Sequence, residues 1–506
     1  MALESDGDGG RGKRQRVDEQ EAQRKELAAA VAGQEAAVPV VRISALPNDL
    51  RHRILTYLPL KDAIRTAVLA KGWRDLWKSR WAHPTSCRDI HLLPDDNPRK
   101  MLGPLVSGPR RRLDRFSLIV ENEKLRPQHL KLFLAYAAEC LVEDLHVDLR
   151  HCKSTVKFNF HFPLSSPRLL HLSLRHINIC SLYYKGAQPF YALEVIHLQS
   201  VTIAVAFRKF MALCPRLHTL DLRRCDLDGF LYGAKPFTPP AGVNLRSITV
   251  AECRGEARLV DVAVPSLRSF RYNGNCGVSS FFLPKDAALA DLYICSGDPI
   301  PMFFHWTVFA NYIDRRLPDD LSRLTVLTIC SNTLKAASSL LNDGATAQLT
   351  CMRNLQSLRE LQLLMFGMDT NKLADIYLFL KASYCPNLER FFVQLPAISD
   401  VPVEGLLEEV EVEQPEDGLG NLRTVKVTNF NWRRIELQLV SFLLRKASSL
   451  RKLLLVSPNT TPMNVAGVPE ADLLLLKESL ANGHIVLSES DNAATQPFHS
   501  EVFVKH

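Results

Sequence analysis

The sequence predicts an α/β chain: a small three-helix unit near the N-terminus, then a solenoid of short repeats with parallel strands on its concave face and helices outside. Three observations predict it. A fragment made of leucine, two variable residues, an apolar residue, one variable residue and another apolar residue returns eleven times. It starts at Leu169, Leu193, Leu217, Leu245, Leu267, Leu289, Leu324, Leu358, Leu388, Leu422 and Leu450. Stretches with helical spacing lie between the copies, and residues 43–81 carry a helical period of their own. A repeat this short cannot bury its apolar face alone, so stacked copies must share one continuous core.

Residues 1–40 are rich in Gly, Ala, Glu, Gln and Arg and lack aromatics, which predicts a disordered basic and polar tail. Gly7 to Lys13 imitates a dinucleotide loop and nearly a phosphate loop. No strand has room to precede it, and Arg14 stands where a magnesium-holding Ser or Thr would be needed. Arg11, Lys13, Arg14 and Arg16 fit either a nuclear import signal or a solvated tail.

Residues 41–84 form the helical unit. Leu50, Ile54, Leu55 and Leu58 share one face; Leu60, Ala63, Ile64 and Ala67 share a second; Trp73, Leu76, Trp77 and Trp81 share a third. Pro47 suits a first helical turn, Pro59 breaks the first helix from the second, and Gly72 separates the second from the third. So small a unit needs a partner or a neighbouring domain for stability.

The solenoid is expected over residues 85–420, with residues 421–458 continuing it and 459–506 closing it as a C-terminal cap. Irregular first repeats are read at Ile90–Leu92, Phe116–Val120 and Leu145–Leu149. Helices are expected over Leu130–Cys140, Val205–Cys214, Leu373–Cys385 and Ile435–Ala447; two of them end in Cys-Pro-x-Leu, where proline stops the helix and leucine opens the next strand. Strand, turn and helix per unit is the leucine-rich-repeat layout. Two insertions interrupt it: residues 298–320 hold Phe303, Phe304, Trp306, Phe309 and Tyr312, and residues 399–418 hold eight acidic residues and no basic one.

Composition excludes several function classes. The net charge of +8 over 506 residues is a mild tilt without a clustered stripe, so no nucleic-acid partner is expected. No uncharged apolar run reaches about 18 residues, so no membrane partner is expected either. Twelve scattered cysteines with no C-x-x-C pair, and a charged rather than apolar N-terminus, predict free thiols in a reducing compartment, nucleus and/or cytoplasm. His151, Cys152, His161, His171, His176 and Cys180 are close in sequence, but their spacing matches no zinc pattern, so no metal and no cofactor are expected. No nucleophile elbow or zinc-protease motif is present, and no catalytic residue is assigned. Cys225, Cys253, Asn275 and Asn332 fall at the repeat turn, where thiol or amide satisfies backbone groups.

Three passages carry a family resemblance. The first is Ile43-Ser-Ala-Leu-Pro-Asn-Asp-Leu50, followed by Ile54 to Pro59 and by Val68-Leu-Ala-Lys-Gly-Trp-Arg-Asp-Leu-Trp77. It resembles a plant F-box, with Gly72 where a basic residue is usual. The second, Asn421 to Phe430, and the third, Ile435 to Leu444 with Ser449 to Leu455, resemble the FBD motif. Together with the repeats they resemble plant F-box/FBD/leucine-rich-repeat proteins over nearly the whole chain. The resemblance implies a non-catalytic substrate receptor of an SCF-type cullin ubiquitin ligase, bound through a Skp-type adaptor and through it to a cullin. The residues matching the adaptor-binding face are Leu46, Pro47, Leu50, Ile54, Leu55, Leu58, Ile64, Leu69 and Trp73. They also supply more apolar surface than three short helices hide.

An unidentified protein substrate is expected on the concave face, where the residue between the two apolar strand positions, and the one after, point outward. Candidates are Arg175, His197, Asp221, Arg223, Arg271 and Tyr293. The arginines suit an acidic or phosphorylated segment, and a solvated face with scattered arginines fits as well. A ligase-independent scaffold and, through the aromatic insertion, a small-molecule-dependent receptor remain open.

Overall fold

The structure is a computed structural model. It describes residues 87–149, 158–160, 166–179, 190–203, 213–227, 244–257, 266–274, 279–281, 283, 285–297, 317–342, 350–396, 419–457, 470–489 and 495–500, together with Leu46, Leu50, Arg51, Ile54, Leu55, Thr66, Trp73 and Leu76. The chain divides into two compact units, Met1–Pro84 and Thr85–His506.

In the first unit Leu50, Arg51, Ile54, Leu55 and Leu76 are helical. Leu55 and Trp73 are buried against each other, with Ile54 and Leu76 packed on them. The apolar spacing of residues 50–55 produces this directly: residues four and five apart bring Ile54 and Leu55 round to the same side as Leu50, and Leu55 turns furthest inward.

The second unit is built on one 15-stranded sheet of parallel neighbours. Its first three strands are β1 (Cys87–Leu92), β2 (Arg115–Val120) and β3 (Asp144–Asp148), the irregular first repeats. Then come β4 (His171–Arg175), β5 (Val195–Gln199), β6 (Thr219–Arg223), β7 (Ser247–Ala251), β9 (Ser269–Gly274), β11 (Asp291–Ser296), β12 (Val326–Cys330), β13 (Glu360–Leu364), β14 (Arg390–Gln394), β15 (Thr424–Thr428), β16 (Lys452–Val456) and β17 (Ile485–Ser488). Strands β8 (Gly255–Ala257) and β10 (Ser279–Phe281) form a separate pair. Each of the eleven repeat leucines stands two residues before a strand of the large sheet. All are buried except Leu450, which is half-buried against the same core.

The helices are α1 (Pro98–Ser107), α2 (Pro127–Glu139), α3 (Ser331–Asn342), α4 (Thr350–Arg353), α5 (Thr370–Ala382), α6 (Arg434–Lys446) and α7 (Glu470–Ala481). Three expected helices are therefore found as α2, α5 and α6. Of the fourth, Val205–Cys214, only Leu213 and Cys214 are among the described residues, and Leu213 is helical. The helices start where side chains answer orphan backbone N–H groups. Asp369 accepts from Lys372 N at 2.8 Å before α5, and Glu436 of α6 accepts from Asn431 N at 2.7 Å. Their inner faces, such as Leu130, Phe133, Leu134 and Ala137 of α2, join the strand residues in one core that runs from Ile90 to Ile485.

Parallel strands this short need a sharp exit. The residue after the strand turns into the left-handed region at His176, Ser200, Arg224, Glu252 and Asn429, with φ of 58°, 54°, 52°, 52° and 60°. The next position then points back inside. There Cys225 Sγ donates to Leu198 O at 3.4 Å and Cys253 Sγ to Leu222 O at 3.5 Å, and Asn332 Nδ2 donates to Ser296 O at 3.1 Å. The turn role read for Cys225 and Cys253 is the one they have; Asn332 stands instead as the second residue of α3, from which its amide still satisfies a backbone carbonyl, and Asn275 lies outside the described residues. The aromatic stretch 303–312, the acidic stretch 400–417 and all but His171 and His176 of the clustered His and Cys residues lie outside them as well. His171 and His176 sit at opposite ends of β4.

The C-terminal stretch does two things. Strand β17 extends the sheet beside β16. Residues 495–500 then return to the sheet and lie against side chains of β11, β12, β13, β15 and β16.

Candidate functional site

Register makes the surface. Strand residues that alternate with the core leucines form rows across the face of the sheet opposite that core. One row joins His197, Asp221, Thr249, Arg271, Tyr293, Thr328 and Gln362. A second joins Asp148, Arg175, Gln199 and Arg223. The six residues expected to meet substrate therefore share one face, in two adjacent rows. A third row, on the other side of the first, was not read from the sequence. It carries His171, Asp291, Glu360 and Arg390. Extending the strand alternation one step back from each central residue would have found it.

The early half of this face is a network of internal pairs. Arg223 Nε donates to both oxygens of Asp221, at 3.0 and 3.1 Å, and Nη2 lies 2.9 Å from Oδ2. His197 Nδ1 lies 3.3 Å from the same carboxylate. Fully buried Asp148 faces Arg175 Nη1 at 3.8 Å and His176 Nδ1 at 3.6 Å. Burial alone would raise the Asp221 carboxyl, but the hydrogen bonds from His197 and Arg223 outweigh it and hold the group below its ordinary value. This alters the expectation for the arginines. The forks of Arg223 and Arg175 are turned to carboxylates of their own sheet, because a carboxylate half hidden in a row needs a cation beside it. Arg271 is half-buried and has no ion pair among the described residues.

A depressed carboxyl stabilises the fold above its unfolded value, near about pH 3.9, and the contribution is lost as pH falls through the folded value. Asp221→Asn is therefore expected to lose less stability than the parent between about pH 4 and pH 2 in urea unfolding. Identical acid limbs would show that the pairing contributes nothing.

The later half is covered and mixes apolar with buried polar side chains. Tyr293, Cys295, Cys330 and Leu364 form a buried cluster of their own, separate from the main core. His499 stands edge-on over the Tyr293 ring, with centroids 5.6 Å apart. Tyr293, expected among the substrate contacts, is thus a floor residue beneath the chain's own C-terminal segment.

In the first unit, Leu50 is 47% exposed and Leu46 and Ile54 are half-buried, whereas Leu55 and Trp73 are closed off. The expected adaptor face thus divides into residues able to touch a partner and residues that support them. Pro47, Leu58, Ile64 and Leu69 lie outside the described residues. No group of three or more His, Cys, Asp or Glu side chains placed to hold a metal occurs among the described residues, and none of the described helices is long and apolar enough to cross a membrane.

Comparison with known proteins fits this division into two units. The F-box domain family matches residues 43–83. The family described as the LRR domain of At1g61320/AtMIF1 matches residues 111–481, most of the chain. The chain belongs to the plant F-box/FBD/leucine-rich-repeat proteins. It is similar to the F-box/FBD/LRR-repeat protein At1g78750 of Arabidopsis thaliana, 26% identical over 82% of this chain and 89% of that protein. It is also similar to the putative F-box/LRR-repeat protein At5g54820 of the same plant, 22% identical over 88% and 98%. The putative FBD-associated F-box protein At5g53635 is 28% identical over 36% of this chain and 43% of its own length. F-box and leucine-rich-repeat domains are protein-interaction modules. As an F-box/FBD/leucine-rich-repeat protein, the chain therefore carries two protein-interaction modules.

Proposed function

We propose that this chain is the substrate-recognition subunit of an SCF-type cullin ubiquitin ligase. The observation that carries the reading is one chain holding an F-box at residues 43–83 and a repeat domain at 111–481. In this reading Leu46, Pro47, Leu50, Ile54, Leu58, Ile64 and Leu69 meet a Skp-type adaptor, and Leu55 and Trp73 hold the helices that present them. The adaptor links the chain to a cullin. The face of rows on the large sheet receives a protein substrate, and the FBD-like stretch β15–α6–β16 continues that sheet.

The receptor supplies no reacting group. It holds substrate near a charged ubiquitin-conjugating enzyme brought by other subunits, and raised effective concentration accelerates transfer.

The test is a pull-down of the full chain with a Skp-type adaptor and cullin, beside Leu46→Ala/Pro47→Ala. Capture by the parent and loss of capture by the double variant, with both chains folded, is the expected result. A folded parent that captures neither protein would leave a ligase-independent binding scaffold instead.

A further inference from the structure

The late repeats carry polar groups that an apolar sheet face would not bury without partners. Asp291 is 9% exposed, Glu360 0% and Lys426 3%. An ion or polar group taken from water costs free energy unless a hydrogen-bond partner replaces the water. Part of the replacement comes from within the sheet: Ser269 Oγ donates to Asp291 Oδ1 at 2.6 Å, and Arg390 Nη2 lies 2.7 Å from Glu360 Oε2. The rest comes from the chain's own C-terminal segment.

Residues 495–500 cross the strands with one bonded contact after another. Lys426 Nζ donates to Thr495 O at 3.0 Å, and Lys452 Nζ reaches Thr495 Oγ1 at 3.4 Å. Phe498 N donates to Glu360 Oε1 at 2.6 Å. The His499 ring is fully buried, with Nε2 3.2 Å from Asp291 Oδ1 and Nδ1 2.8 Å from Thr328 Oγ1, which in turn bonds Gln362 at 3.0 Å. The ring of Phe498, by contrast, is 53% exposed. This is the arrangement of a peptide site. A lysine donates to a backbone carbonyl, a carboxylate accepts from a backbone N–H, and an imidazole packed edge-on against Tyr293 is met at both nitrogens.

We propose that the face of β11–β16 is a binding groove for an extended peptide anchored by a histidine, and that residues 495–500 occupy it as a plug in cis. Every bond the plug makes can be made by a segment of another protein with the same chemistry. Such a segment competes with a tethered occupant whose effective concentration is of order millimolar for a short tether. The groove therefore rejects weak ligands and opens to a partner only when the tail leaves. That this partner is a ligase substrate rests on the function proposed above; the plug itself does not, since its test needs neither adaptor nor cullin.

The probe is a labelled peptide of residues 491–506, titrated against three proteins: the full chain, the full chain with His499→Ala, and the chain ending at Ser490. The expected result is binding to the shortened chain and to His499→Ala at least tenfold tighter than to the full chain. A peptide carrying the same His→Ala change should bind at least tenfold more weakly. Equal binding to the full and shortened chains, or no binding to a shortened chain that unfolds as cooperatively as the parent, would overturn the proposal. If the shortened chain does not fold, His499→Ala decides alone: it must bind the peptide and exchange its amide hydrogens faster in β11–β13 than the parent. Failure in either respect rejects the plug.

Discussion

Trp73→Ala is expected to abolish the proposed capture of a Skp-type adaptor by the full chain, while Leu50→Ala is expected to weaken it about three- to tenfold and to leave the first unit folded. The two outcomes follow from burial. Trp73 is 1% exposed and packs on Leu55, Ile54 and Leu76. Truncating a buried tryptophan costs about 3–5 kcal/mol. A three-helix unit of this size holds no more than about 3–5 kcal/mol in all, so the loss unfolds it. Leu50 is 47% exposed, so its removal leaves little cavity. What it loses is the exposed half of a leucine that the partner would bury, about half of the roughly 1.5–3 kcal/mol for a whole side chain, or about 0.7–1.4 kcal/mol, which is the stated change in affinity. Trp73→Phe is the control. It keeps most of the ring and removes a buried indole N–H that has no hydrogen-bond partner among the described residues, so capture should survive. Titration calorimetry with purified adaptor, beside circular dichroism of each variant, makes the measurement. A Trp73→Ala chain that binds at parental strength would remove the supporting role assigned to this residue.

Phe391→Ala should destabilise the second unit by about 3–5 kcal/mol, and the damage should stay local. Phe391 is fully buried in β14, in register with Leu361 of β13 and Val425 of β15. In a stack of repeats each layer touches its neighbours only, so stability is close to a sum of layer and interface contributions. Native-state hydrogen exchange should therefore lose protection first in β13, β14 and β15, and last in β2 to β5, with a lowered urea midpoint for the affected layers. Uniform loss of protection across all fifteen strands would show that the sheet unfolds as one unit and that the layer picture is wrong.

Much of this was legible in the residues. The leading leucines of the repeats, from Leu169 to Leu450, located every strand from β4 to β16 on the large sheet, because a buried leucine two residues before an alternating strand is the condition for stacking. The outward rows were legible for the same reason: with a side-chain period of two, Asp221 cannot share a face with Leu220 and Leu222. The division of the first unit into supporting and touching residues was not. Spacing puts Leu50, Ile54 and Leu55 on neighbouring positions of one helix, and only the packing of Trp73 decides which of them is closed off.

The sequence by itself determined the repeat architecture, the strand positions, the turn chemistry of Cys225 and Cys253, and the family. All of these depend on residues near one another along the chain or on a period. Tertiary structure alone decided how the binding face is used. Arg223 turns to Asp221 rather than outward, a choice made by the burial of that carboxylate and its competition with water. His499 meets Asp291 across 208 residues and Thr328 across 171, contacts that no local pattern encodes. They arise because parallel stacking brings distant strands side by side on one face, and because buried polar groups on that face require partners wherever the chain can supply them.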